Sequence, residues 1–379
     1  MGAIAASFAS DNATATIANP AQLGMFSLNG ILNASTYLTK TNWSSSPYMS
    51  LNASALNVGI NLSNFFSMPF QASVGLGYST VFFDLGSIET EYGISPWKEN
   101  QECYTIGAGF DWIVRLGMGY SLKIGNSIEP GSDVFNTSSQ NSRVYTHDYG
   151  VMMQLPLSEI VSRLSGKPIM LFPAVKPFVD INLGYSKRNI GGYAIYPLLS
   201  DSFPQPRTAT LGLNFELGLR TQVGNKEWTL LSFVWAREAE NTMVKATAVD
   251  DTSMDYPFYE YGYASGFGTF KPIANLILGK IYGVDELHKG WQIGAAEFIY
   301  IRGGSVENFV FTYYTFGTSI KLNGFIRLLS VCGIVNPGTG FTRFFLDHID
   351  LQYHSSVYKS GYEPGLDGTK FQAINLVVR

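Results

Sequence analysis

Large apolar side chains alternate with small or polar ones over long stretches of the chain. Leu211, Leu213, Phe215, Leu217 and Leu219 interleave with Gly212, Asn214, Glu216 and Gly218. Leu116, Met118, Tyr120, Leu122 and Ile124 interleave with Gly117, Gly119, Ser121 and Lys123. The same period of two runs through Leu56–Leu62, Ala72–Tyr78, Tyr104–Val114, Val179–Tyr185 and Ile374–Val378. Successive side chains of a strand face opposite sides, so this period predicts strands with one greasy and one polar face. Three of the seven runs span nine residues or more, enough to cross a hydrocarbon core when tilted.

The second face decides what kind of sheet this is. A soluble sheet turns its polar face to water and fills it with Lys and Glu. Here that face carries Gly, Ser, Thr and Asn, with isolated charges at Lys123, Asp180 and Glu216. Such a face suits a crowded lumen, and the greasy face then meets lipid. In lipid every backbone N–H and C=O needs a partner within the protein, so the sheet must close on itself. The expectation is an all-β fold: a transmembrane antiparallel β-barrel of about fourteen strands over residues 25–379, as a single domain. Lys123, Asp180 and Glu216 are expected in the lumen. Tyr104, Tyr120, Tyr185, Tyr300, Tyr313 and Tyr314 are assigned to interfacial girdles at strand ends.

Composition supports this reading. Charged residues make up 14% of the 379, against about 25% in soluble domains. A hydrophobic content of 46% excludes disorder. The net charge of −4 and the lack of a basic tract give no nucleic-acid footprint. The longest apolar runs are too short for spanning helices: Leu328–Val335 is broken by Ser330 and Gly333, and Ile273–Leu278 contains Asn275. No charged and then apolar leader starts at Met1, so a secretory signal is expected to have been removed from this numbering.

Breaks in the period predict the connections. Asp111-Trp112 separates two runs with almost no gap. Gly224-Asn225-Lys226 and Asn323-Gly324 read as tight hairpins. Longer polar connections are expected at Gly86–Glu102, Ile128–Ser142 and Ala239–Asp255, and Leu157–Ser165 has the spacing of a short amphipathic helix ended by Gly166. The third long connection leads into an aromatic stretch, Tyr256, Phe258, Tyr259, Tyr261 and Tyr263. These are candidate ligand or partner contacts at the outer rim, with girdle and loop packing as the competing reading.

The first 24 residues break the pattern. They are Ala-rich, small and mildly polar, which suits a hatch inside the lumen. Asp11, Asn12 and Asn19 offer hydrogen bonds to inward polar groups, and Pro20 fixes the turn towards the first strand. Chemistry-bearing constellations are lacking. The four histidines show no ligand spacing, and two cysteines, Cys103 and Cys332, make no disulfide framework. His147 and Asp148 are neighbours on a strand and so face opposite sides. No catalytic residue, metal or cofactor is expected, and the chain is not read as an enzyme.

Met1-Gly2-Ala3, Asp11-Asn12-Ala13 and Asn19-Pro20-Ala21 resemble the N-terminal hatch of the FadL-type outer-membrane barrels. Tyr313–Asn323, Asp285-Glu286-Leu287 with Gly294–Glu297, and Asn189-Ile190-Gly191 followed by Pro204, Arg207 and Leu211-Gly212 are similar to the PorV/PorQ-like branch of that superfamily. The chain departs from the pattern at Asn12, where many relatives have a second Asp, and at Val378-Arg379, where the usual terminal aromatic is missing. The resemblance implies a hatch inside a fourteen-stranded barrel of the bacterial outer membrane. FadL itself admits long-chain fatty acids and other hydrophobic solutes, whereas PorV-type members serve type IX protein secretion. The expectation is therefore a non-enzymatic component of a secretion or surface-assembly complex. It would contact membrane lipid and translocon or surface-protein partners. The alternatives are a FadL-like transporter that takes a hydrophobic ligand into its lumen, and a structural surface protein.

Overall fold

The computed structural model describes residues 4–38, 41–42, 50–90, 93–129, 140–195, 202–223, 226–249, 258–264, 273–278, 285–308, 310, 312–336, 339–360 and 367–379. Its dominant feature is one antiparallel sheet that closes on itself. In chain order the barrel strands are β1 (Leu32–Tyr37), β2 (Ser50–Asn61), β3 (Gln71–Thr90), β4 (Gly93–Asp111), β5 (Arg115–Glu129), β6 (Gln140–Pro156) and β7 (Val175–Gly191). They continue as β8 (Thr208–Val223), β9 (Lys226–Thr242), β10 (Glu286–Ala295), β11 (Ile299–Asn308), β12 (Thr312–Lys321), β13 (Ile349–Ser360) and β14 (Lys370–Val378). The two-residue piece Thr41–Asn42 continues β1 along the same edge of β2. Each strand pairs with its sequence neighbours, and β1 closes the ring by pairing with both β14, Leu32 opposite Val378, and β2, Leu32 opposite Val58. Closure leaves no open edge, as lipid requires.

The two faces separate as the alternation predicts. Leu76 is 67% exposed and Ile106 54%, with Val58, Met118, Val151 and Leu217 also turned outward. Their neighbours Ser73, Asn57, Ser121, Asn182 and Asn214 are buried inside. In a free-standing soluble protein such a continuous apolar exterior would be an aggregation surface. Facing acyl chains, it is the expected exterior of a membrane barrel. His147 and Asp148 do face opposite sides, His147 meeting the Tyr120 hydroxyl at 2.5 Å outside and Asp148 lying fully buried inside.

Several connections differ from expectation. Gly86–Glu102 is no loop: β3 and β4 run on as a long hairpin with Thr90 opposite Gly93, because backbone pairing resumes after a register shift between Asp84 and Ser87. Part of Ala239–Asp255 is likewise ribbon, Val244–Val249 pairing with Phe258–Tyr263. Most of the expected Ile128–Ser142 connection, residues 130–139, lies outside the described residues. Asn323-Gly324 makes no hairpin. It starts a helix (Leu322–Val331), packed beside a second helix (Gly340–His348) in the connection from β12 to β13. A Cβ on Gly324 would crowd the Glu297–Phe298 backbone, so glycine here serves close helix packing rather than a turn. Tyr300 faces the lumen and is nearly buried, so it is no girdle residue. Val223 and Lys226 pair directly, as the Gly224-Asn225 signal predicts. The helix Leu157–Ser165 ends where Gly166 turns left-handed at φ 65°. No helix among the described residues is long and apolar enough to cross a membrane.

Candidate functional site: the lumenal segment and its cavity

Residues 4–28 run through the lumen. Asn12 caps a 3-10 helix, Ala13–Ile17, through its Oδ1, which accepts from the Thr14 amide at 3.0 Å. Pro20 then precedes a short helix, Ala21–Ser27. The wall opposite has no side chains of its own where the segment approaches: it receives backbone at Gly59, Gly107 and Gly119, and the Leu23, Ser27 and Asn19 side chains at Gly75 and Gly150. Gly59, Gly75, Gly107, Gly119 and Gly150 are direct cross-strand partners on β2 to β6, forming one row across five strands. Gly184 and Gly212 form a second pair on β7 and β8. Cross-strand partners share a face, so the row is a smooth track. A Cβ on Gly107 would lie 2.7 Å from the Gly24 nitrogen, and one on Gly119 would overlap the Pro20 carbonyl. Glycine normally weakens a strand, and here close approach of another backbone offsets that cost.

Polar side chains fasten the segment where the glycine row ends. The buried Glu238 carboxylate accepts from the Ser7 amide at 2.8 Å, the Ser7 hydroxyl at 3.1 Å and the Ala5 amide at 3.2 Å. Asn214 donates to the Ser7 carbonyl at 2.7 Å. Asn19 folds the segment on itself: it donates to the Ala6 carbonyl at 2.7 Å and accepts from the Ala21 amide at 3.0 Å. Asp11 meets Lys321 at 2.9 Å and Arg379 at 3.2 Å, while its carbonyl accepts from Asn33 and Asn375, each at 2.6 Å. Burial alone would raise the Asp11 carboxyl, but the Lys321 and Arg379 charges outweigh it and hold it well below the usual carboxylate range.

The other residues singled out from the sequence fall into different roles. Lys123 is buried in the lumen and paired with Asp148 at 2.5 Å, with Asn189 at 3.3 Å. Asp180 accepts from Gln154 at 3.0 Å and lies 3.8 Å from Arg220. Glu216 also faces inward, where it lines a cavity of about 400 Å³. On the outer ribbon, Phe258, Tyr259 and Tyr261 pair in register with Val249, Ala248 and Ala246. Tyr256 lies outside the described residues. The Tyr263 hydroxyl accepts from the Gln205 amide at 2.6 Å and donates to the Gly192 carbonyl at 3.2 Å, and the Arg207 guanidinium stacks 3.7 Å over its ring. Tyr263 therefore clasps two connections together.

The cavity lies between residues 4–12 and the wall from β8 to β14 and on to Tyr37 of β1. Ile4, Phe8, Tyr37 and Phe371 give it an apolar side. Glu216, Gln292, Arg302, Lys321, Gln352 and His354 give it a polar one. Sequence reading picked out Glu216 but missed Glu238, Arg302, Lys321, His354 and Arg379. A signal for one of them was present: Glu238 shares a face with Ser232 and Ala236 on a strand whose opposite face carries Leu231, Phe233 and Trp235, the pattern that did mark Asp180. Cys103 is buried and Cys332 exposed, and both thiols are free.

These features define the class: a closed, fourteen-stranded antiparallel transmembrane β-barrel with its amino-terminal segment in the lumen. The chain matches no protein-family model and no curated protein. Among solved structures it is similar to the TodX deltaS2S3 mutant monoaromatic hydrocarbon channel, at 13% identity over 100% of this chain and 96% of that one, TM-score 0.42. The Ralstonia pickettii toluene transporter TbuX shares 10% identity over 100% and 95%, TM-score 0.41. The β domain of the Bordetella autotransporter BrkA shares 9% over 93% and 100%, TM-score 0.39. The architecture itself stands on the strand pairing and the outward apolar face.

Proposed function

We propose that this barrel sits in the bacterial outer membrane and works through its surfaces, as a non-enzymatic component of a secretion or surface-assembly complex. The observation that carries the reading is the fit of the lumenal segment against the glycine row. The segment lies directly on the glycine backbone from β2 to β6, and Glu238, Asn214, Lys321 and Arg379 fasten both flanks. Flow of solute along that wall requires the segment to leave, at the cost of several buried polar contacts. Meanwhile the connections on the side of the chain termini expose Phe65, Phe66, Trp112, Leu164 and Phe172 beyond the strands. Such groups serve equally to seat the barrel at the bilayer interface and to meet a partner.

A FadL-like conduit for hydrophobic small molecules is the second reading, and the cavity between the segment and the wall supports it. Its charged lining counts against a purely apolar solute, since each desolvated charge costs free energy that hydrocarbon cannot return. Gentle detergent extraction of the tagged protein, followed by partner identification, separates the two. A stoichiometric protein partner is the expected result. A solitary barrel carrying a bound hydrophobic molecule reverses the order.

A further inference from the structure

The lumenal cavity holds two opposite charges that find no ionic partner among the described residues. Glu216 on β8, Val234 on β9, Gln292 on β10 and Arg302 on β11 are successive cross-strand partners, so their side chains rise from one row of the inner wall. Both ends of that row, Glu216 and Arg302, line the cavity. Arg302 spends its donors on neutral groups. Its Nε donates to Gln292 Oε1 and its Nη1 to Ser319 Oγ, both at 2.5 Å, with His354 Nδ1 at 3.3 Å. The Nη2 group has no hydrogen bond, and Arg302 no carboxylate partner, among the described residues. Among the same residues the Glu216 carboxylate has neither a hydrogen bond nor an ion pair. Lys321, the other cation on the lining, is already committed to Asp11 at 2.9 Å and Asp350 at 3.8 Å.

His354 packs against the same guanidinium and helps to hold it in place. A guanidinium only donates, so the His354 Nδ1 facing it accepts, which assigns the ring proton to Nε2. That Nε2 is buried and has no partner among the described residues. One end of the row therefore presents the unused Nη2 donors of Arg302, and the other an unused acceptor from Glu216. Two accessible charges of opposite sign without ionic partners favour a ligand that carries both complements, through charge-assisted hydrogen bonds. Ile4, Phe8, Tyr37 and Phe371 supply an apolar flank, and about 400 Å³ falls within the range of small-molecule sites.

We propose that this cavity binds a small zwitterion of the amino-acid type, its carboxylate on Arg302, its ammonium on Glu216 and its hydrocarbon side chain against Phe8 and Phe371. A plain carboxylate would satisfy Arg302 and meet repulsion from Glu216. A plain amine would do the reverse, and a neutral apolar solute would leave both charges unmatched. This site is separate from the surface role proposed above, and either one stands without the other.

The test is titration calorimetry on the full chain in a nonionic detergent with three probes of one shape: L-phenylalanine, 3-phenylpropanoate and 2-phenylethylamine. L-phenylalanine is expected to bind at least tenfold more tightly than either singly charged analogue. Arg302→Gln should weaken it at least tenfold and erase its advantage over the amine. Glu216→Gln should weaken it to a similar extent and erase its advantage over the acid. Heat-modifiable migration in SDS gels checks that each variant is folded, and Arg302→Lys, which keeps the charge but loses the fork, replaces Arg302→Gln if the latter fails. Tighter or equal binding of 3-phenylpropanoate marks a simple anion site and overturns the proposal. So does the absence of binding by L-phenylalanine up to about 1 mM, an affinity of about 4 kcal/mol.

Discussion

Asp11, near the start of the chain, and Arg379, its last residue, meet at 3.2 Å inside the closed ring. Arg379 is held there because its amide donates to the His348 carbonyl at 2.8 Å and its own carbonyl lies 2.9 Å from His348 Nδ1. Lys321 at the end of β12 completes the cluster around the same carboxylate. The contact ties the lumenal segment to the strand that closes the barrel.

A carboxyl held below its ordinary value stabilises the fold above the unfolded-state value and ceases to do so as pH falls through the folded one. The Asp11 contribution should therefore persist at mildly acidic pH. The difference in unfolding midpoint between the native chain and Asp11→Asn should stay constant from neutral pH to about pH 4.5 and begin to shrink only below about pH 4. A difference that vanishes near neutral pH contradicts the assigned pairing. Denaturant titrations of both proteins in micelles provide the comparison.

The glycine row predicts a sharp positional effect. Gly119→Leu places a side chain where the Pro20 carbonyl lies, so the segment should detach and become sensitive to protease while the barrel stays folded. Gly125→Ala, on the same strand β5, is the control: its Cβ would find its nearest atom 3.9 Å away, at the Val144 carbonyl. Limited proteolysis read by mass spectrometry distinguishes the two. Equal protection of residues 4–28 in both variants would contradict close docking.

The Lys123–Asp148 pair, 4% and 0% exposed at its side chains, has almost no solvent to fall back on. Removing one partner of a buried ion pair typically costs about 3–5 kcal/mol, so Asp148→Ala should lower unfolding free energy in that range. Replacing both residues, Lys123→Met with Asp148→Leu, should recover much of the loss, because no stranded charge remains. The double-mutant cycle measures this directly.

On the outside, Leu76→Arg should cost about 2–4 kcal/mol in phospholipid vesicles if that position lies near the bilayer midplane. Ser79→Ala, an inward change on the same strand, should shift stability by less than about 1 kcal/mol. Tryptophan fluorescence during guanidinium titration gives both values, and equal costs would argue against the assigned faces.

Much of the architecture was legible in the linear pattern. The runs at Leu211–Leu219 and Leu116–Ile124 specify strands, strand length and the face that meets lipid, because a period of two permits only one arrangement of sides. The charge deficit distinguishes a membrane barrel from a soluble sheet. Tyr300 shows where that reading stops: aromatic identity alone does not report a side, and Tyr300 turns inward between the outward Ile299 and Ile301. Asn323-Gly324 shows the same limit for local turn chemistry, since a dipeptide suited to a hairpin also suits a helix packed tightly on its neighbour.

Pattern by itself determined that strands form, that they close, and that small residues line the interior. Register decided the rest. Only pairing in three dimensions aligns Gly59, Gly75, Gly107, Gly119 and Gly150 into one track, brings Asp11 to Arg379, and sets Glu216 and Arg302 on one row of a single cavity. These residues are far apart in sequence, and no local preference encodes their proximity. It follows from the hydrogen-bonded stagger of strands around a closed ring, in which a shift of two residues would keep every side chain on its face yet separate every one of these partners.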